Sequence, residues 1–455
     1  MGLKAFYPEW VLVEGKFRAN HGVVVETASG RIAAVDAEPV LRRRHPRAAV
    51  SKWPGLAVVP GTVNSHTHSF QHLLRGLGSD APFLAWRDAA LYRTAPWLDA
   101  QAICTGARLA FSDMLLSGIT TVADFFYVHR DGLENDRAVI QAAREVGIRL
   151  VFARCLYDWP GAPDAYRERV DDAVQRTRAL AQEVQGDPLV SVHPAPHSLH
   201  GASDEMIAAG VRLAQELDTP YHMHVAEEPF EVAETRQRTG KTPVQYLAQL
   251  GALTSRLIAV HLVWLDAADI ARLGQTRTRL AYCPSSNMFL ADGVTPVVSL
   301  LKAGVLVGLG TDGGCSNNRA SIFEEMRMAA LLQKVTHLDA TALSAEDVFA
   351  MGTGAGAEIL ESSAGRIAPG AWADFLAIDT SHLSLTPWTP EVLLNNLVYA
   401  LQPEAIRHVV VGGRIVVRDR RLMLTPLGAI HGDAQALRAE WQSRGLAPSE
   451  AQTPS

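Results

Sequence analysis

Val58-Val59-Pro60-Gly61-Thr62-Val63-Asn64-Ser65-His66-Thr67-His68 is a largely apolar run that ends in two histidines separated by one residue. Side chains alternate along a strand, so both imidazoles face the same way, into a barrel if the strand belongs to one. Seven further runs repeat the pattern: Ile119–Phe125, Ile148–Leu156, Leu189–Ala195, Pro220–Val225, Leu257–Leu262, Thr278–Cys283 and Val305–Thr311. Longer segments with helical spacing of apolar residues separate them, and such alternation predicts βα units around a parallel sheet. Eight runs close a barrel. The expected fold is therefore α/β, with a (β/α)8 TIM barrel over residues 58–364.

Helices are expected over Asp136–Val146, capped by Asn135, and over Asp164–Val184, whose charges gather on one face. Phe83–Trp97 reads as a packing helix from which Trp86 and Arg87 could face a pocket.

Both chain ends differ from the middle. Gly22–Thr27, Gly30–Val35, Gly365–Ile378 and His408–Val417 alternate in strand fashion around glycine-containing turns. Two ends made of short strands, flanking a barrel, most simply join into one small β-sandwich domain, 1–57 with 365–425. Residues 426–455 are expected to hold one helix, Ala434–Gln442, and then a disordered tail.

Composition excludes several roles. The 455 residues carry a net charge of -6 with both signs scattered, so no basic stripe is offered to nucleic acid. Apolar runs fall short of the roughly 20 residues a bilayer requires, and the start shows no secretion signal. Cys104, Cys155, Cys283 and Cys315 are far apart with no CxxC pair, which suits a reducing compartment rather than a disulfide frame or thiolate zinc site. The expectation is a cytoplasmic homodimer or higher homo-oligomer that acts on a small molecule.

In a (β/α)8 barrel the chemistry sits at the C-terminal strand tips. Those tips carry His66 and His68, then His222 and His224 followed by Glu227, then His261, then Asp312. An isolated HxH pair is weak evidence for a metal. Its company at successive strand tips makes the case: three neutral nitrogen donors and a carboxylate suit Zn2+ or Fe2+ and leave a position for water. His222 faces inward one layer deeper and reads, like His193, as a structural barrel histidine. The glycine-rich Gly308–Gly314 lacks the Gly-Lys-Ser/Thr ending of a phosphate loop, and Gly352–Gly356 follows no strand.

Pro60–His68, His224-Val225-Ala226-Glu227, Cys283-Pro284-Ser285-Ser286-Asn287 and Gly310-Thr311-Asp312-Gly313 together resemble the amidohydrolase superfamily. More narrowly they resemble its deaminase and chlorohydrolase branch, with its S-adenosylhomocysteine, guanine, 8-oxoguanine and triazine enzymes. The C-terminal Gly365–Asp374 and Val411–Arg414 are similar to the strands that complete that family's β domain. Two-metal members carry a lysine at the end of strand four. Leu189–His197 has none, so one divalent ion is expected, zinc before iron. The resemblance implies His66, His68, His224 and Asp312 as ligands, with Glu227 and His261 beside them.

A bound divalent cation lowers the pKa of water from 15.7 toward about 7 and so supplies hydroxide at neutral pH. Asp312 and His261 would orient that water. Glu227 would collect its proton, pass it to the ring nitrogen as the tetrahedral carbon forms, and finally protonate the departing amine. His197, at the tip of strand four, is a candidate donor to the substrate.

Two substrate types compete. The motifs at strands seven and eight look like those of heterocycle deaminases. By contrast His66–Gln71, Trp86-Arg87-Asp88, Asp124–His129 and Pro196–Leu199 are similar to formimidoylglutamate deiminase, whose resemblance implies substrate contacts from Gln71, Arg87 and Tyr127. That family uses a second arginine where this chain has His200, and an imidazole lacks the bidentate grip of a guanidinium. No ribose-binding glutamate aligns near Tyr92–Pro96. The favoured reading is deamination of a free purine, pterin or triazine type of heterocycle, with an anionic substituent near Arg87 or Arg154. The alternatives are a formimino-acid deiminase, a chlorohydrolase and a non-catalytic barrel scaffold.

Overall fold

The computed structural model describes residues 2–130 and 132–445. Its barrel strands are β1 Thr62–Thr67, β2 Ile119–Phe126, β3 Arg149–Leu156, β4 Val190–Pro196, β5 Tyr221–Val225, β6 Leu257–His261, β7 Arg279–Tyr282 and β8 Leu306–Leu309. They pair in parallel as two four-stranded sheets, β1 to β4 and β5 to β8. Backbone hydrogen bonds help to stitch the two seams at the C-terminal end: the Asp312 amide donates to the His66 carbonyl (3.0 Å), and the His224 amide to the His197 carbonyl (3.0 Å). Below the tips, Val63, Ala123, Val151, Ile258, Val260 and Ala281 pack with Ala357 and Ile359 into a dry plug. The barrel is a packed core with a polar upper rim.

The first expected run proves to be two strands. Ala49–Pro60 belongs to the chain-end sheet, Gly61 breaks it with its amide on the Asp374 carbonyl (3.0 Å), and β1 begins at Thr62. A Cβ on Gly61 would lie 2.1 Å from the Thr120 hydroxyl, so the crossing needs a residue without one.

The two ends join as expected. One nine-stranded mixed sheet runs Arg421–Leu422, Arg414–Arg418, Ile406–Val411, Phe375–Asp379, Ala49–Pro60, Leu3–Val13, His21–Glu26 and Arg31–Ala37, with Lys16–Ala19 paired to Leu3–Val13. It curls on itself, because Ile32 and Gly370–Ala371 exchange backbone hydrogen bonds of 2.8 and 2.9 Å that return one edge toward the middle. Phe6, Trp53 and Phe375 fill the fold, the Phe6 ring 4.8 and 5.2 Å from the other two. The 11-residue strand Leu3–Val13 was not foreseen. Pro8 interrupts its pattern, and the register slips there between Pro8 and Trp10.

Three helix expectations are corrected. The helix expected from Asp164 spans Val170–Glu183, since Pro163 opens a turn that buries Tyr166. Asn135 is no cap: the helix is Glu134–Val146, and the Asn135 amide donates to the Leu98 and Val128 carbonyls. Phe83–Trp97 is broken into Phe83–Trp86, a wide π-type turn Arg87–Tyr92 and a 3-10 turn Ala95–Trp97, arching over the barrel mouth. The C-terminal helix runs Leu427–Ser443, longer than expected, and Trp441 meets Trp97 edge-on at 6.1 Å. The tail expected to be disordered lies mostly outside the described residues. No helix among them is long and apolar enough to cross a membrane.

Candidate active site

Strand alternation delivers His66 and His68 from the end of β1, and β5 delivers His224. Their nitrogens converge with the Asp312 carboxylate. His66 Nε2 lies 3.3 Å from His224 Nε2 and 3.4 Å from Asp312 Oδ1, and His68 Nε2 lies 3.2 Å from the same oxygen. Two backbone carbonyls set the tautomers: His68 Nδ1–H donates to Phe125 (2.6 Å) and His224 Nδ1–H to His197 (3.0 Å), so both Nε2 atoms present lone pairs.

Burial, with the neighbouring imidazoles, holds His224 well below its ordinary pKa, and burial holds His66 down to about 4 against the pull of Asp312. His66 Nδ1 has no hydrogen-bond partner, so no protein contact fixes which of its nitrogens carries the proton. A tetrahedral ion with bonds of about 2.0–2.2 Å needs ligand atoms about 3.3–3.6 Å apart, close to the spacing seen. The donor set suits a divalent metal ion, and His66, His68 and His224 form a buried cluster able to hold one.

Asp312 is held from its other side. Its Oδ2 accepts from Ser286 (2.5 Å) and Ser316 (2.9 Å). Burial works against its charge, but the adjoining His66 and His68 rings prevail and keep the carboxyl well below the usual range. The surrounding glycines permit this crowding. A Cβ on Gly313 would overlap the Gln71 amide at 1.6 Å, and one on Gly314 would meet His72 backbone at 2.6 Å. Gly308–Gly314 is thus a close-approach segment. Strand tips are bent further by positive φ at Ala226 (52°), His261 (75°), Leu262 (51°) and Asp312 (56°), a costly conformation for residues with a Cβ.

Glu227 follows β5 and sits with Oε1 3.2 Å from His261 Nε2. Burial and the nearby carboxylates of Asp312, Glu228 and Glu231 push its pKa well above the ordinary value. Burial also pulls His261 down to about 4. The Glu227 amide donates to Glu231 Oε2 at 3.1 Å, fixing the turn that carries the carboxylate.

Above these groups lies a cavity with about 640 Å³ of empty space, part of it open to solvent. His68, His224, Glu227, His261 and Asp312 form its floor. Aromatic rings make the walls: Tyr127 and Tyr166 are 5.0 Å apart, and Tyr157 lies edge-on to His197 at 4.3 Å. Gln71 donates to the Tyr127 hydroxyl (2.9 Å), and both face the cavity. Arg87 stands at the wall over Tyr92, already paired with Asp88 (2.7 Å). His200, also in the wall, is held down to about 4 by burial and then by Arg87.

Arg154 is elsewhere. It is fully buried between Asp136 (2.7 Å) and Glu168 (2.8 Å), so its charge is spent on structure and the expectation of a substrate contact is withdrawn. His193 and His222 bond each other (3.1 Å) inside the barrel, away from the cavity. Sequence reading missed Tyr157, Tyr166, Glu231 and Asp292. Of these only Glu231 left a signal, four residues after Glu227 at the start of a helix.

An amidohydrolase family model matches residues 57–416. The chain is 36% identical over 389 residues to the 5'-deoxyadenosine deaminase of Methanothermobacter thermautotrophicus, covering 85% of this chain and 88% of that protein. It is 34% identical over 400 residues to the 5-methylthioadenosine/S-adenosylhomocysteine deaminase 1 of Syntrophus aciditrophicus, covering 87% of each. The crystal structure of an adenosine deaminase from Xanthomonas campestris with bound zinc superimposes with a TM-score of 0.89, at 29% identity, over 96% of this chain and 98% of that one.

Proposed function

The chain belongs to the amidohydrolase family, and from that premise we propose that it is a hydrolytic deaminase removing an exocyclic amino group, as ammonia, from a purine-type heterocycle. The observation that carries the proposal is the Glu227–His261 pair, 3.2 Å apart, beside His68, His224 and Asp312 on the floor of an aromatic-walled cavity, with His66 3.3 Å from His224. In this reading His66, His68, His224 and Asp312 hold one divalent ion, zinc by the suitability of three imidazoles and one carboxylate. When bound, such an ion supplies a water already acidified toward neutral pKa and polarises the carbon under attack.

The chain's own residues do the rest. Glu227 takes a proton from the attacking water and gives it to the ring nitrogen next to the amidine carbon, then takes the proton of the newly formed hydroxyl and passes it to the amine, so that ammonia leaves as the carbonyl forms. His261 holds the Glu227 carboxylate in place. Ser286 and Ser316 keep the second Asp312 oxygen occupied, so the first is aimed at the histidines. Gln71, Tyr127 and His197 offer polar atoms to the heterocycle's edge, and the tyrosine rings cover its faces and exclude bulk water. Arg87 lies at the cavity wall, where an anionic or polar substituent would reach it.

The purine class is favoured over formimino acids by His200. A neutral imidazole at that wall gives no counter-charge for a second carboxylate, whereas the aromatic lining suits a flat ring. The relatives act, by name, on adenosine derivatives, which supports the same class. The domain division 1–57 with 365–425 around 58–364 is kept as part of this proposal. An ammonia-release screen on metal-loaded protein, covering adenine and its nucleosides, other purines, pterins, triazines and formimino amino acids, tests it. Release from amino-purines is expected; release from formimino acids alone would overturn the assignment.

A further inference from the structure

A second convergence of donor atoms lies beside the one described. Glu227, His261 and Asp292, all buried, bring two carboxylate oxygens and a ring nitrogen within 4.8 Å of one another. Asp292 is the new member. The residue is 1% exposed, Oδ1 has no hydrogen-bond partner, the Asn287 amide donates to Oδ2 at 3.4 Å, and the side chain also shares a hydrogen bond with the Glu228 carboxyl. A carboxylate this deep requires a proton or a cation. Glu228 adds a further carboxyl against Asp292. Among the described residues no lysine or arginine forms an ion pair with Glu227, Glu228 or Asp292.

We propose that Glu227, His261 and Asp292 form a second, weaker divalent-cation site whose occupancy inhibits the enzyme. One imidazole and two carboxylates make a donor set for Zn2+ and poorly serve Mg2+, which prefers six oxygens and keeps most of its water. The 3.2 Å between His261 Nε2 and Glu227 Oε1 is close to the separation of two ligands on a zinc ion. An ion there would engage the carboxylate that must carry protons, so turnover stops while the first ion stays in place. The inhibitory consequence rests on the proton-carrying role given to Glu227; the binding itself does not.

The test uses protein carrying its one tight ion. Calorimetric titration with ZnCl2 should show a second equivalent weaker than the first, and MgCl2 should show none. Asp292→Ser should keep the first ion, bind the second about 10-fold or more weakly, and go on releasing ammonia at zinc concentrations that silence the wild type. Should the variant fold poorly, an anomalous difference map of wild-type crystals soaked in zinc decides, with a second peak expected between Glu227, His261 and Asp292. Absence of that peak, an unchanged second affinity in Asp292→Ser, or a bound second zinc that leaves turnover unaltered would overturn the proposal. If no amino-heterocycle is a substrate, the deaminase reading fails, while titration and map still judge the site.

Discussion

His66 and Asp312 meet twice across one seam of the barrel: the Asp312 amide donates to the His66 carbonyl at 3.0 Å, and the Asp312 Oδ1 lies 3.4 Å from His66 Nε2. Backbone closure and side-chain convergence are therefore one event. The strand that carries His66 has its partner across the seam only if the segment carrying Asp312 arrives in the same register.

Protein dialysed against metal-free buffer should retain about one divalent ion per chain, matching a single four-donor set. His66→Ala, His68→Ala, His224→Ala or Asp312→Ala should each lose it. Elemental analysis reads the outcome, and a stoichiometry near two after dialysis would contradict it.

Glu227→Gln keeps the shape of the side chain and removes the proton carrier. Turnover should fall at least ~100-fold, a barrier increase of about 2.7 kcal/mol, with the tight ion retained. Metal content must be measured beside rate. Near wild-type turnover in loaded Glu227→Gln would pass the role to His197 or His261.

Glu325 supplies a pH signature away from the chemistry. It is buried, accepts from the Ser285 amide (3.1 Å) and the Asn317 side chain (2.9 Å), and burial pushes its pKa up to about 8 despite those bonds. Below about 4.5 both folded and unfolded chains hold this proton, so pH has no leverage. Between there and about 8 the folded chain keeps a proton the unfolded chain has released, so stability falls as pH rises. Urea midpoints of wild type and Glu325→Gln, compared from pH 5 to pH 9, should drift in favour of the variant. A constant difference across that range would show that Glu325 titrates normally.

Arg154→Met should unfold more readily by about 3–5 kcal/mol, because it leaves the fully buried Asp136 with only His129 beside it and Glu168 with only Arg176. KM of the folded fraction should stay put. A raised KM with unchanged melting would restore Arg154 to the substrate site.

The barrel was legible because strand and helix alternate with clear periods, and its rim because histidines at period two can only share a face. Arg154 shows where that reading stops. Its place at the end of β3 resembled that of a binding residue, but its partners are Asp136, 18 residues before it in the first turn of the helix Glu134–Val146, and Glu168, 14 after it in a loop, and no periodicity ties the two to it. Asp292 was invisible for a similar reason. It is one acid in a loop, and only the folded turn after the helix Pro284–Phe289 brings it to Glu227. The broken arch Phe83–Trp97 was misread as one helix because its apolar residues suit a pocket lining as well as a packing face.

The barrel is assembled from two four-stranded sheets, and the donors divide between them: His66 and His68 come from one half, His224 and Asp312 from the other. An ion held by all four is a clasp, and it can report closure because neither half owns a complete grip. On the proposed ligand set, a molecule whose halves had parted would lose its hydrolytic power together with its ion, and damage would silence it before it could leave a misshapen but still reactive centre behind.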